Sequence, residues 1–259
     1  MKSDITLNEK HRFRLLGVRS AAYQWTVHSD EMGQALRVLR LKENDIFEIC
    51  DLEGWVAISQ MTHAKKNLFE FRILSETFFP RNDSGPSRYQ LAIAVLKPNH
   101  MNEMIPLLCE LDISELWIFS QEGDPHFLAG DKNLLRWEKI AAESTKQCKR
   151  PYSLKIRYYE GLQALVKREE SEPKTFVYLD PEASLPLSSL PITNTSPPGH
   201  TIVLVVGSER GIAPTELTWL NQQKALSFHL GSNILRSVTA ATACAVHMKS
   251  SCFLGSTTI

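Results

Sequence analysis

Two short stretches toward the C-terminal end hold the residues best suited to chemistry. Residues 207–211 read Gly-Ser-Glu-Arg-Gly, and residues 230–236 read Leu-Gly-Ser-Asn-Ile-Leu-Arg. The glycines at 207, 211 and 231 allow backbone conformations, and an approach by a ligand, that a Cβ would block. Arg236 carries a charge at every physiological pH and can stabilise negative charge developing on a substrate. The plainer alternative is a helix-start residue paired with an acid such as Glu209, an ion pair of small worth on a surface. Other chemistries fail on residue type. A Walker loop needs Lys and Ser or Thr after its glycines, and here Gly211 is followed by Ile212 and Ala213. Ser208 directly follows Gly207, so the spaced glycines of a nucleophile elbow are missing. Only two glycines stand where a dinucleotide fingerprint needs three. No histidines lie four apart in the sequence, which argues against a zinc hydrolase.

The elements that must position these stretches can be read from hydrophobic pattern. Residues 201–206, Thr-Ile-Val-Leu-Val-Val, form a β-branched apolar run without polar alternation, as a strand buried on both faces does. Pro214 opens a helix at a favoured first-turn position, with Glu216 near the positive end of its dipole. A second strand, 225–230, runs into the second stretch and then into a long helix over about 234–251. Upstream, strands at 89–96, 115–120, 154–159 and 174–179 alternate with helices ending near 111, spanning 131–149 from an Asp131 N-cap, and covering 162–168. This alternation predicts a mostly parallel sheet, whose ligands bind at the carboxyl ends of its strands. Pro106 falls inside a helical pattern, so that helix either starts near Met104 or is kinked. Gln147 and Arg150, at the end of the 131–149 helix, either reach a ligand or cap its carbonyls. Residues 184–199, with four prolines among Ser and Thr, read as an exposed loop.

Residues 1 to about 75 read instead as short strands. A hairpin is predicted from 45–50 and 55–59 around the turn at 51–54. Arg37, Arg40 and Lys42 precede it, with Lys65, Lys66 and Arg72 beyond. They are either solvated charge on a small barrel or contacts to phosphate. The polar, turn-rich residues 76–88 read as a linker between domains at 1–80 and 88–259.

Composition limits the rest. The chain has 259 residues, 43% of them hydrophobic, ample for a core. Twenty-nine basic residues balance 29 acidic ones, so net charge neither supports nor excludes a nucleic-acid partner. No stretch approaches the roughly 20 apolar residues of a membrane span, and no leader pattern opens the sequence, so the expectation is a cytoplasmic protein. Five cysteines without a Cys-x-x-Cys pair suit reduced, buried thiols.

The glycine-bearing stretches, continued through Arg236-Ser237-Val238-Thr239-Ala240, resemble the paired signature of the RsmE family of ribosomal RNA methyltransferases, of the SPOUT class. The family motifs run Gly-Pro-Glu-Gly-Gly and Leu-Gly-x-x-Ile-Leu-Arg-Thr-Glu-Thr-Ala. Val38-Leu39-Arg40 and the block from Arg136 to Arg150 are similar to other family segments, so the resemblance covers residues 34 to 246. It implies an α/β domain with a trefoil knot near its C-terminal end and an N-terminal PUA-like β-barrel. It implies S-adenosylmethionine as methyl donor, with N3 of a uridine in small-subunit (16S) ribosomal RNA as target. The cofactor would be bound by Leu179 and Pro181, by Gly207, Ser208, Glu209 and Gly211, and by Leu230, Gly231, Ile234 and Leu235. Arg236 would be catalytic, and Arg37, Arg40, Lys42, Lys97 and Arg150 would contact RNA. A homodimer is implied too, through the small-residue helix at 237–246, whose alternative is packing on the chain's own sheet. Four departures stand out: Ser208 and Arg210 in the first motif, Val238 for a glutamate in the second, Pro106-Leu107 for Gln-Lys, and Ser120-Gln121-Glu122 for Ser-x-Arg. They leave open an altered RNA target or an inactive RNA-binding dimer that keeps the fold.

Overall fold

The computed structural model describes residues 11–15, 18–21, 24–27, 31–65, 68–80, 88–121, 131–168, 173–190 and 200–254. The chain divides into two compact units, Met1–Arg81 with Ala142–Ser153, and Asn82–Ala141 with Leu154–Ile259. A single cut near residue 80 misses the return of residues 142–153 to the first unit. Most of the predicted linker, 81–87, lies outside the described residues, as do Lys66 and residues 191–199 of the predicted loop.

The first unit contains β1 (Arg12–Arg14), β2 (Val18–Ala21), β3 (Gln24–Val27), α1 (Glu31–Val38), β4 (Ile46–Cys50), β5 (Trp55–Lys65) and β6 (Leu68–Phe78). The predicted hairpin is present as the antiparallel pair β4 and β5. One expectation needed correcting: β5 and β6 have 11 residues each rather than being short. Arg37 lies in the last turn of α1, and Arg40 and Lys42 stand between that helix and β4. The sheet order is β1-β4-β5-β6-β3-β2, antiparallel except for β1 against β4. Among the described residues no pairing joins β1 to β2. Its core is aromatic and aliphatic, with Phe13 edge-on to Phe47 and Phe47 edge-on to Phe71. The returning segment is tied in by backbone: Arg12 donates to the carbonyl of Arg150 at 3.1 Å and Gly54 N–H to that of Pro151 at 3.0 Å.

The second unit is built on six parallel strands. In chain order it has β7 (Arg88–Ala94), α2 (Pro98–Glu110), β8 (Glu115–Phe119), α3 (Asp131–Gln147, its last residues in the first unit), β9 (Lys155–Tyr159), α4 (Leu162–Arg168) and β10 (Lys174–Leu179). Then come β11 (Thr201–Val206), α5 (Pro214–Gln222), β12 (Leu226–Phe228) and α6 (Ser237–Leu254). The sheet order is β12-β10-β11-β7-β8-β9, every pair parallel. The late strand β11 thus enters between β7 and β10. All six of its residues are buried, and each large aliphatic side chain so placed contributes roughly 1.5–3 kcal/mol.

Three boundaries differ from the sequence reading. Helix α2 begins at Pro98, where a missing N–H costs nothing, and not near Met104; Pro106 sits within it. Its buried side, Met101, Met104, Ile105, Leu108 and Cys109, follows the 3–4 spacing of a core-facing stripe and offsets the lost hydrogen bond. Strand β12 is only three residues long, and α6 starts at Ser237, so the segment between them is longer than expected. The small side chains of α6 let it lie close on α2, β7 and β11, the within-chain alternative for this helix. Among the described residues no helix is long and apolar enough to cross a membrane.

Candidate active site

Because β10, β11 and β12 are parallel neighbours, the segments leaving their carboxyl ends emerge on one edge of the sheet. The first follows β11. A Cβ on Gly207 would lie 2.5 Å from the carbonyl carbon of Gly211 and 2.8 Å from the nitrogen of Ile212. Gly207 is therefore required by the loop's own backbone, not by a ligand. Ser208 closes the turn: its Oγ accepts from the N–H of Arg210 at 3.2 Å, and its carbonyl accepts from the N–H of Gly211 at 3.0 Å. A hydroxyl thus fixes the turn at the position where the family motif has proline.

The far side of this loop is held by Gln121, just beyond β8. Its Nε2 donates to the Gly211 carbonyl at 2.9 Å and to Oε2 of Glu216 at 2.8 Å. Glu216, buried in the first turn of α5, also accepts from the N–H of Ala213 at 3.1 Å. Replacing Gln121 by alanine removes the donor shared by the buried Glu216 carboxylate and the Gly211 carbonyl, leaving Oε2 with the Ala213 N–H. The expected loss is about 1–3 kcal/mol of stability, read as a lower midpoint in urea at unchanged slope.

The second segment, 229–236, is anchored at its start. His229 exchanges backbone hydrogen bonds with Leu185 and Leu187, and its Nδ1 accepts from the N–H of Gly231 at 3.0 Å. Its ring proton therefore sits on Nε2. Gly231 has φ +120° and Gly211 has φ +82°, conformations that L side chains rarely adopt.

Helix α2 braces both segments. His100 Nδ1 lies 2.6 Å from Oε1 of Glu209, and the N–H of Lys97 donates to the same oxygen at 3.3 Å. One turn further along, Glu103 accepts from the guanidinium of Arg236 at 3.3 Å. The expected alternative pairing of Arg236 with Glu209 is thus replaced by Arg236 with Glu103. Burial alone would raise the carboxyl of Glu209, but hydrogen bonds from His100 and from the N–H groups of Glu209 and Lys97 outweigh it and hold it below its ordinary value. Glu209 is a carboxylate throughout the neutral range.

These segments enclose a cavity of about 450 Å³, within the range that takes a cofactor-sized ligand. Leu179 and Pro181 line it from the end of β10, Gly207, Ser208, Glu209 and Gly211 from the first loop, and Leu230, Gly231, Ile234 and Leu235 from the second. Arg236 is on the same wall. His100, Asp180 and His229 line it too and were not singled out by sequence. For Asp180 the signal was available in its strand-end position, whereas nothing local marks His100. Ile234, 87% exposed, presents a large apolar side chain there.

The basic residues fall apart into two groups. Arg37, Arg40 and Lys42 are exposed in the first unit, and Lys97 is exposed in the second. Arg150 is only 8% exposed, and lies in the segment after α3 that belongs to the first unit. A residue so enclosed offers little surface for the RNA contact expected of it. No disulfide forms among the described cysteines. Full burial pushes the Cys244 thiol up to about 12, and burial also raises Cys50, so neither is a nucleophile. The side chain of Cys252 lies outside the described residues. No group of His, Cys, Asp and Glu among the described residues could hold a metal ion.

An all-parallel sheet whose carboxyl-edge segments enclose an apolar cavity flanked by an arginine and a histidine–carboxylate pair defines an α/β protein with one ligand site at the sheet edge. Residues 83–249 match the family model described as RNA methyltransferase domain. The chain belongs to this RNA methyltransferase family. It is 26% identical over 210 residues to ribosomal RNA small subunit methyltransferase E of Buchnera aphidicola, covering 80% of this chain and 82% of that one. The Bacillus subtilis protein of the same name is 24% identical, covering 83% and 86%. Among solved structures, ribosomal RNA small subunit methyltransferase E of Neisseria gonorrhoeae, bound to S-adenosyl methionine, superposes with a TM-score of 0.72 at 22% identity, covering 93% of this chain and 97% of that one. A Legionella pneumophila protein solved in complex with SAM gives 0.76 at 22% identity, covering the same shares of the two chains. These two likenesses establish the fold.

Proposed function

We propose that this chain is an S-adenosylmethionine-dependent ribosomal RNA methyltransferase whose target is N3 of a uridine in the small-subunit RNA. The observation that carries the reading is the meeting of residues 207–211 and 230–236 around one cavity with Arg236 on its wall. The residues fit an adenosyl group: apolar side chains from Leu179, Ile234 and Leu235 offer a face for the ring. Beyond Gly231, nothing lies within 4 Å of where a Cβ would stand, so bare backbone can meet a ligand there. S-adenosylmethionine supplies an already activated methyl group, so the protein's task is positioning and charge. Arg236 stabilises negative charge on the uracil oxygens as N3 loses its proton, and Glu103 holds the guanidinium in place.

The first unit is an RNA-binding domain of PUA-like type, and the entry of β11 between β7 and β10 is part of a trefoil knot. The protein works in the cytoplasm, as a homodimer built on α6, where Val246 is exposed. Arg37, Arg40 and Lys42 contact phosphate. Changing all three to glutamine is expected to weaken RNA binding across sequences. The slope of log affinity against log salt should also fall by roughly 2, at about 0.7–0.9 per lost phosphate contact.

Methyl incorporation from labelled S-adenosylmethionine into small subunits, or their RNA, from cells lacking this protein tests the reading. Label mapped to a uridine N3 supports it; no transfer while the cofactor binds rejects it.

A further inference from the structure

We infer that His100 is the base that removes the proton from the acceptor nitrogen, held for this task by Glu209. The inference rests on the methyl-transfer reading above and names a residue that neither glycine-bearing segment contains.

The geometry fixes which nitrogen is available. Glu209 is ionised, so its Oε1, 2.6 Å from Nδ1, only accepts, and the imidazole must donate from Nδ1. Neutral His100 therefore has its lone pair on Nε2, where no hydrogen-bonding partner is recorded among the described residues. His229, on the same cavity, is fixed in the opposite tautomer, because its Nδ1 accepts from Gly231. Of the two histidines, only His100 has a carboxylate behind it to stabilise an added proton.

Position agrees with this role. His100 and Glu103 are one turn apart on α2, and Glu103 holds Arg236, so base and cation are carried by one rigid element. The charged and titratable side chains that line the cavity with His100 are Glu209 from the first loop, Arg236 and His229 from the second and Asp180 after β10, with Glu103 on its own helix and Lys97 just before that helix. The dyad is only partly enclosed, with side-chain exposures of 25% for His100 and 28% for Glu209, so a base can enter and a proton can leave.

The step balances. The N3–H proton passes to Nε2, giving an imidazolium paired with the Glu209 carboxylate. The N3 electron pair forms the new bond to the methyl carbon, and the carbon–sulfur pair stays on sulfur as a neutral thioether. The imidazolium then releases its proton to water.

Nitrogen-15 NMR of the histidines in the cofactor-free protein, with single-turnover transfer by wild type, His100→Gln and His100→Gly, tests the inference. The expected spectrum shows the proton of neutral His100 on Nδ1. The His100→Gln rate should fall about 100- to 10,000-fold, the usual worth of a general base, with cofactor affinity kept. Its deficit should narrow as pH rises and the acceptor ionises unaided, and added imidazole should restore His100→Gly. A proton on Nε2, or an active wild type with His100→Gln within a few-fold of it, overturns the inference alone. A wild type that binds cofactor but transfers nothing overturns the methyl-transfer reading and this inference with it. Equal loss of rate and cofactor affinity, without recovery at high pH or with imidazole, also overturns it.

Discussion

Arg236→Ala is expected to lower methyl transfer about 100- to 1,000-fold while S-adenosylmethionine affinity stays within a few-fold, the size of effect seen when one preorganised charge donor is removed. The Arg236 side chain is 66% exposed and its partner Glu103 is 45% exposed, so their ion pair adds little to folding. An exposed guanidinium on the wall of an apolar cavity therefore acts on what the cavity holds. Single-turnover rates and dialysis with labelled cofactor check this. Glu103→Ala should give a smaller loss of the same kind, because the cation remains but is no longer held. Arg236→Lys should recover only part of the rate, since an ammonium cannot reproduce the planar fork. A fall in cofactor affinity equal to the fall in rate would make Arg236 a structural residue.

Gly207→Ala is expected to abolish cofactor binding and to lower stability by about 1–3 kcal/mol, the cost of overpacking a site that cannot give. The added methyl would meet the carbonyl carbon of Gly211 at 2.5 Å, its oxygen at 2.6 Å and the nitrogen of Ile212 at 2.8 Å, all backbone atoms. The loop must therefore open, and with it the cavity wall that carries Glu209. Gly211→Ala is the comparison. Its methyl would meet nothing within 4 Å, and the cost is the strain of φ +82° alone, roughly 1–2 kcal/mol. Thermal unfolding and dialysis should therefore separate the two: a packed loop broken in the first, a strained loop still able to bind in the second.

The contrast between these glycines shows what was legible in the sequence. The strand at Thr201–Val206 could be read to the residue, because five apolar and mostly β-branched residues after Thr201, with no polar alternation, suit a strand buried on both faces. The gathering of the two glycine-bearing segments was legible as a resemblance. The reason each glycine is needed was not: Gly207 makes room for the chain's own backbone, four residues on. Helix α1 was missed because its eight residues lie among strands and end in a basic run that reads equally well as a strand approach. The burial of Arg150 follows from the return of residues 142–153 to the first unit, a tertiary event with no local mark.

The departures from the family pattern are the clearest case. Read along the chain, Val238 looks like the loss of whatever oriented Arg236. In space Glu103 orients Arg236, 133 residues away in sequence, while Val238 is buried at 4% exposure. Gln121 falls in the block that departs from Ser-x-Arg, yet it clamps Gly211 and Glu216. Pro106 lies inside a helix that forms regardless. The contacts of Glu103 and Gln121 are invisible to spacing because each joins residues far apart in the chain.

The central claim is that residues 207–211 and 230–235 enclose the adenosyl group. Photocrosslinking of labelled S-adenosylmethionine to the intact protein, with the modified peptide sequenced, tests it most directly. The account predicts saturable label within one or both of these segments, displaced by S-adenosylhomocysteine. Saturable label confined to parts of the chain outside these segments and the cavity-lining turn at 179–181 would contradict it.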